Sequence, residues 1–243
     1  MKKREDLKII HLQFRVAEEM RDHEWKSFVD HMKLKPHQIV RHYILENELD
    51  LQTLKNYDGI IVAGTGDFEV KHIKEKFPRA YKQMKKIAKL NKQLKIPVMN
   101  VCLQIWNALH GGKIGKMAEA ETGVFTIKLT DEAKNDPLFR DLPKEFKALL
   151  GHKDYVSKLP KGAVLLAYSK MCPVEVFRLN ENEYFFQFHP ELNRRSYIER
   201  IDFYAKRYAP KDPEEFNRLK KSLIDTKEPE MLLERFIDKI VLK

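Results

Sequence analysis

The apolar positions of the first hundred residues alternate between two periods. Leu7 to Phe14 reads as a buried strand and Ala17 to Met32 as an amphipathic helix. Gln38 to Leu45 and Tyr57 to Ala63 again carry the short apolar runs of strands. Ala80, Met84, Ile87, Ala88 and Asn91 then recur at helical spacing, with Lys82, Lys85, Lys86, Lys89 and Lys92 on the other face, which predicts a helix running to about Gln93. A strand from Ile96 to Val101 follows, and then a helix from Leu103 toward His110, closed by Gly111 and Gly112. This rhythm predicts an α/β protein with parallel, buried strands.

The pattern changes at Gly123. Short stretches rich in Val, Phe, Tyr and Leu predict further strands, partly antiparallel, at Val124 to Leu129, Phe146 to Leu150, Ala163 to Tyr168, Val174 to Leu179 and Tyr184 to Phe188. After Leu192 the periodicity is helical in three pieces, Arg194 to Arg207, Pro213 to Ile224 and Pro229 to Val241, with proline near the starts of the last two, where its missing N–H is harmless. The chain therefore divides into an α/β domain over 1–192 and a helical C-terminal extension over 193–243, expected to pack on the same domain or to form a self-association surface in a homo-oligomer. Met1 to Asp6 is expected to fray. There is no internal repeat.

Composition narrows the class. A 43% hydrophobic fraction over 243 residues supplies an ordinary core and argues against disorder. The longest apolar runs, Ile96 to Leu103 and Ala163 to Tyr168, fall far short of the roughly 18 to 20 residues that span a bilayer, so no membrane crossing is expected. Lys2, Lys3 and Arg4 imitate the start of a signal peptide, but Lys8 and His11 interrupt the apolar stretch behind them, which points to a cytoplasmic address. The net charge is +10, and Lys71 to Lys95 alone contributes +9, with ten Lys or Arg against Glu75. A solvated helix face is the favoured reading of that stretch. It carries few aromatic side chains for base stacking, Tyr81 among them, so nucleic acid is not the expected partner; an acidic protein or another polyanion is the alternative.

Two cysteines 70 residues apart, Cys102 and Cys172, build neither a disulfide framework nor a four-cysteine zinc site, so a special cysteine would act as a thiol. His11, His23, His31, His37, His42, His72 and His110 show no metal-binding spacing, and neither a metal nor a cofactor is expected. Cys102 stands where a buried strand gives way to a helix. Such an elbow exposes a nucleophile, and a helix N-terminus favours thiolate over thiol, although from this segment alone a small buried cysteine at a strand end is the favoured reading. The second element is Phe185-Phe186-Gln187-Phe188-His189-Pro190-Glu191, an aromatic strand ending in a histidine with a carboxylate two residues on. His189 can take the thiol proton and Glu191 can hold the imidazole in the useful tautomer, or His189 can simply end a strand.

Taken together, the two segments resemble the class I glutamine amidotransferase family, whose cysteine elbow follows a Pro-Val strand and whose histidine and glutamate follow a strand written like Phe-Gln-Phe-His-Pro-Glu. Three more stretches fit in the family's order: Tyr57 to Gly64, Gly151-His152-Lys153-Asp154-Tyr155-Val156 and Pro173-Val174-Glu175-Val176. The resemblance covers roughly Leu7 to Leu192. It implies a three-layer α/β sandwich around a mostly parallel sheet, flavodoxin-like, here with extra C-terminal helices. It also implies a triad of Cys102, His189 and Glu191 that cleaves a glutamine-type amide through a thioester. Backbone N–H groups of Leu103 and of the loop at Gly64 are implied as oxyanion donors, with Gln104, Trp106, His152, Asp154 and Tyr155 at the substrate.

The sequence departs from the family where substrate is recognised. Glycines usual two residues before and after the cysteine, and a glutamine beyond, are here Asn100, Gln104 and Trp106; a usual Gly-Gly-Pro is Gly64-Thr65-Gly66. Side chains at Asn100 and Gln104 must either be tolerated by local adjustment or narrow the pocket, and Gln104 and Trp106, standing for a small residue and an amide that hold glutamine, are expected to make free glutamine a poor substrate. The readings that follow are an enzyme acting on glutamine or another γ-glutamyl compound, or a catalytically weak member acting as a binding or regulatory subunit. The fifty or so residues after Leu192 are too few and too helical for an ATP-binding synthetase domain, so an ammonia acceptor is expected to be a separate synthase subunit.

Overall fold

A computed structural model of the chain describes residues 2–68, 70–101, 103–205 and 213–243, leaving aside the side chains of 70 and 71. Its strands are β1 (Ile9–Gln13), β2 (Ile39–Tyr43), β3 (Gly59–Val62), β4 (Val98–Val101), β5 (Lys113–Leu129), β6 (Glu145–Lys158), β7 (Ala163–Tyr168), β8 (Val176–Leu179) and β9 (Glu183–Phe186). The helices are α1 (Glu18–Met32), α2 (Val70–Lys76), α3 (Pro78–Leu94), α4 (Gln104–Leu109), α5 (Arg194–Phe203), α6 (Pro213–Ser222) and α7 (Lys227–Phe236).

The strands join in one sheet of order β2-β1-β3-β4-β9-β8-β7-β5-β6. Pairings from β2 through β9 are parallel, and those from β9 through β6 are antiparallel. All five residues of β1 are buried, and its side chains divide between two apolar clusters: Ile9 faces one, Ile10 and Leu12 the other. Ile61, Met99 and Val101 repeat the first assignment, and Ile60, Val62 and Val98 the second. A period of two with apolar residues on both sides needs a helical layer on each face. Phe28, Val29 and Met32 of α1 and Leu232, Leu233 and Phe236 of α7 cover the first face, while Met84, Ile87 and Ala88 of α3 and Ile105 and Trp106 of α4 cover the second. The α/β sandwich expected from the sequence is thus built, with its parallel half at one side of a mixed sheet.

Several elements differ from the sequence expectation. The basic helix is two helices, because Phe77 leaves helical geometry and Pro78 restarts the chain as the first residue of α3. The hairpin of β5 and β6 is far longer than its apolar signal. Its outer half from Lys113 to Ala120 is largely exposed and shows no apolar alternation, and its register shifts between Lys116 and Glu121. The start of the chain is tied down: Lys2 pairs with Asp58 at 2.7 Å, and Arg4 donates to the Met32 carbonyl at 2.6 Å and pairs with Asp238. Fraying is therefore not seen from Lys2 to Asp6, and Met1 lies outside the described residues, as does the expected end of the first C-terminal helix at Arg207. Among the described residues no helix is long and apolar enough to cross a membrane.

Candidate active site

The C-terminal ends of the parallel strands converge on one pocket, the place where open α/β sheets take their ligands. The loop after β3 supplies Gly64, Thr65 and Gly66; the residues after β9 supply Gln187 and His189; β1 leads into Arg15; and α4 supplies Gln104. The antiparallel half contributes His152, Lys153 and Asp154 from β6 and Lys116 from β5, and α5 leans over the opening with Arg200. The pocket has a volume of about 250 Å³.

His189 and Glu191 are in contact. His189 Nδ1 lies 2.9 Å from Glu191 Oε1, so a proton on Nδ1 is donated to the carboxylate and the Nε2 lone pair is left for chemistry. Glu191 is 1% exposed, and the same oxygen accepts from Arg200 Nη1 at 2.7 Å. Burial by itself pushes the Glu191 carboxyl up, but His189 and Arg200 outweigh it and hold it well below the usual carboxylate range. The His189 imidazole is lowered, first by burial, with Arg200 and Arg15 repelling its proton and Glu191 opposing them. The ring is consequently neutral and basic at neutral pH.

Cys102 itself lies outside the described residues. Its neighbours are described. Val101 ends β4 and pairs with Phe186, three residues before His189. Leu103 is fully buried as the N-cap of α4, which spans only six residues. Gln104 is 2% exposed, and its amide N–H₂ bridges the Asp154 carbonyl and Gln187 Oε1, both at 2.9 Å. His152 Nδ1 donates to the Asp154 carbonyl at 3.1 Å.

Two of the residues expected at the substrate are not brought to the pocket. Trp106 is fully buried in the core beneath α3, with its indole N–H on Glu183 Oε2 at 3.1 Å, because a ring of that size one turn into α4 faces the sheet. Tyr155 turns to the outer hairpin, where its ring lies over Gly115, its cross-strand partner. Asn100 is fully buried on β4, and its amide has no hydrogen-bond partner among the described residues.

Sequence reasoning missed the charged layer around the loop after β3. Arg15, directly after the β1 strand region, pairs with buried Glu24 at 2.9 Å and reaches the Tyr204 hydroxyl at 3.3 Å. Burial works to raise Glu24, but Arg15 and the neighbouring His11 imidazole, 3.5 Å away, overcome it and bring the carboxyl to about 2. The Tyr204 hydroxyl donates to Asp67 Oδ2 at 3.0 Å, which also accepts from the Val16 N–H. The only hint in the sequence was an arginine set immediately beyond an apolar strand. Arg200 gave none, since an arginine on a helix rich in Arg and Glu reads as solvated.

A second group of ligand-type side chains, Glu121, His152, Cys172 and Glu175, converges behind the pocket wall. Burial first, and then the neighbouring Glu121, raises Glu175 well above the usual carboxylate range; burial likewise pushes the Cys172 thiol up.

A histidine–carboxylate pair at the C-terminal ends of parallel strands, beside the junction of β4 and α4, is an arrangement that hydrolytic and acyl-transfer α/β proteins use. Comparison with known proteins makes this specific: the model of the family "Glutamine amidotransferase class-I" matches residues 27–202, and the chain belongs to that family. The chain is 32% identical over 151 residues to a glutamine-hydrolysing GMP synthase subunit of Methanocaldococcus jannaschii, a match covering 61% of this chain and 72% of that one. It is 30% identical over 163 residues to the corresponding subunit of Pyrococcus abyssi, covering 65% and 80%. Against the GMP synthase of Thermosipho africanus the match spans only 21% of the relative's length. Among solved structures, a glutamine amidotransferase of Thermotoga maritima shares the fold with a TM-score of 0.73 at 18% identity, over 98% of this chain and 99% of that one.

Proposed function

We propose that the chain is a glutaminase-type amidotransferase in which Cys102 is the nucleophile, His189 the base and Glu191 the residue that orients and stabilises the imidazolium. The observation that carries this reading is the His189–Glu191–Arg200 chain at the end of β9, in register with the strand leading into Cys102. In the proposed reaction His189 Nε2 takes the thiol proton, and the thiolate attacks the side-chain amide carbon. The oxyanion is held by the N–H of Leu103 and the Gly64 loop. His189 returns the proton to the departing ammonia, and water then cleaves the γ-glutamyl thioester, releasing glutamate and restoring the thiol. Cationic groups around the pocket, Arg15, Lys116, Lys153 and Arg200, suit a substrate bearing a carboxylate. The relatives named as subunits of a glutamine-hydrolysing synthase support delivery of ammonia to a synthase on a separate chain.

One observation favours a second reading, an amide substrate other than free glutamine. Gln104 occupies the pocket wall immediately beyond the elbow and is fastened at both Asp154 and Gln187. The test is a screen for ammonia and glutamate release from glutamine and γ-glutamyl compounds, with and without candidate synthases, combined with intact-mass labelling by a glutamine-mimicking electrophile. Labelling of Cys102 that His189→Ala abolishes is the expected result. Labelling elsewhere, or full turnover by Cys102→Ala, would overturn the assignment.

A further inference from the structure

Behind the pocket wall, four side chains from three segments point at one another. Glu121 lies in β5 and His152 is its cross-strand partner in β6. Cys172 and Glu175 come from the turn between β7 and β8. One ligand atom from each can be chosen so that all four lie within 4.8 Å of one another. Glu121, Cys172 and Glu175 are fully buried, and His152 is 9% exposed. Two carboxylates, a thiol and an imidazole have been removed from water here with no cationic side chain among them. Such an arrangement carries a heavy desolvation cost unless its groups take up protons or something positive sits at its centre.

The hydrogen bonding sharpens this. Both oxygens of Glu175, Oε2 of Glu121 and Nε2 of His152 receive no hydrogen bond from the described residues. Glu175 is the telling case, because a fully buried carboxylate with neither oxygen satisfied is aimed into the cluster from an otherwise well-bonded backbone position, its N–H on Ala167 and its carbonyl on Gln187. His152 Nε2 stands 3.1 Å from Glu121 Oε2, while Nδ1 gives its proton to the Asp154 carbonyl, so in the neutral ring two lone pairs face each other. Outside the four, the groups are held as the supports of metal ligands are: Ser169 Oγ donates to Glu121 Oε1 at 2.8 Å and accepts the Cys172 N–H at 2.8 Å.

We infer that Glu121, His152, Cys172 and Glu175 form a structural site for a divalent transition-metal ion of the zinc type. One thiolate, one imidazole nitrogen and two carboxylate oxygens make a borderline donor set that suits zinc or cobalt and not magnesium or calcium. Tetrahedral bonds of about 2.0 to 2.3 Å place ligand atoms roughly 3.3 to 3.8 Å apart, which side-chain adjustment of under about an ångström reaches from the present spread. All four positions are filled by protein, so the ion is a brace and not a second reaction centre. It ties the long hairpin to the β7–β8 turn and so fixes the wall that carries His152 and Asp154 into the pocket.

The test uses the full chain, stripped with a chelator and titrated with Co²⁺ and then Zn²⁺. One Co²⁺ per chain is expected, with tetrahedral visible bands and a thiolate-to-cobalt charge-transfer band that Zn²⁺ displaces. Cys172→Ser abolishes the charge-transfer band, Glu175→Gln weakens binding by at least about 10-fold, as loss of ligand support does elsewhere, and Cys102→Ser leaves both unchanged. Because Cys102 is not among the four ligands, the result stands whatever the fate of the proposed nucleophile. Absence of stoichiometric Co²⁺ and Zn²⁺ in the wild-type chain would overturn the site, and so would a charge-transfer band that follows Cys102 and survives in Cys172→Ser. Glu175→Gln binding at wild-type strength would remove Glu175 from the ligand set and overturn the four-ligand site.

Discussion

Arg200 joins no element of the sequence motif, yet together with burial it acts on the state of the residues that do. Its guanidinium shares Glu191 Oε1 with His189, keeps the carboxylate ionised and repels a proton from the imidazole. Because the folded-state affinity of His189 for its proton lies below the ordinary value of about 6.5, the ring remains a base as pH falls through that value. The same sign applies to stability: below about 6.5 the unfolded chain takes up a proton that the folded chain refuses, so stability is lost on acidification. The acidic limb of kcat/KM is accordingly expected below pH 6.5 in the wild type. In Arg200→Gln it is expected at higher pH, with a lower plateau rate, and a pH–rate profile for the two proteins checks both. An unmoved limb would reduce Arg200 to a packing role. While Cys102 lies outside the described residues, His189 and Glu191, which the structure brings into contact, were legible through the family resemblance of the strand that carries them. Arg200 was not, because its partners come from a different segment.

At the scale of elements, the loop after β3 is shaped by what lies across from it. Gly66 has φ +20, and a Cβ built there would collide with Arg15 Nη1 and stand 3.2 Å from the Tyr204 hydroxyl. The arginine cannot simply swing aside, since its Nε is bonded to Glu24, 1% exposed, and breaking a buried pair costs about 3 to 5 kcal/mol. Gly66→Ala is therefore expected to lower stability by roughly 1 to 3 kcal/mol and to impair labelling of Cys102, through displacement of the loop. Denaturant unfolding alongside the labelling assay tests this; wild-type behaviour in both would show that the loop yields freely. The two helices of the basic stretch and the outer half of the β5–β6 hairpin show the reverse situation. The helical spacing of Ala80 to Asn91 did not show the break at Pro78, and the hairpin's outer half is largely solvent-exposed and so carries no apolar alternation to read.

For the whole molecule, the segment after Leu192 matters more than its ordinary composition suggests. Leu232, Leu233 and Phe236 of α7 are buried in the cluster that also holds Phe28, Met32 and Tyr184, and each such side chain is worth roughly 1.5 to 3 kcal/mol of burial. From α5, the Tyr197 hydroxyl takes the Gly123 N–H at 3.0 Å and donates to the Leu150 carbonyl, locking the helix to the long hairpin. Truncation after Leu192 is thus expected to remove cooperative folding altogether, well before the loss of Arg200 is felt. Thermal unfolding followed by circular dichroism gives the readout, and a sharp transition in the truncated chain would show the remaining sheet to be self-sufficient.

Periodicity determined the alternation of strands and helices, and residue types at two strand ends determined which chemistry to look for, because both are local properties written within a few turns of chain. Tertiary structure alone decided that Trp106 belongs to the core and Gln104 to the pocket, although they are two residues apart on one short helix. It alone set Arg15 and Arg200 around the histidine, and brought Glu121, His152, Cys172 and Glu175 together from three segments. The physical reason is the same in each case. Which way a side chain faces, and which charge it meets, is fixed by packing between elements, and no spacing along the chain encodes that distance.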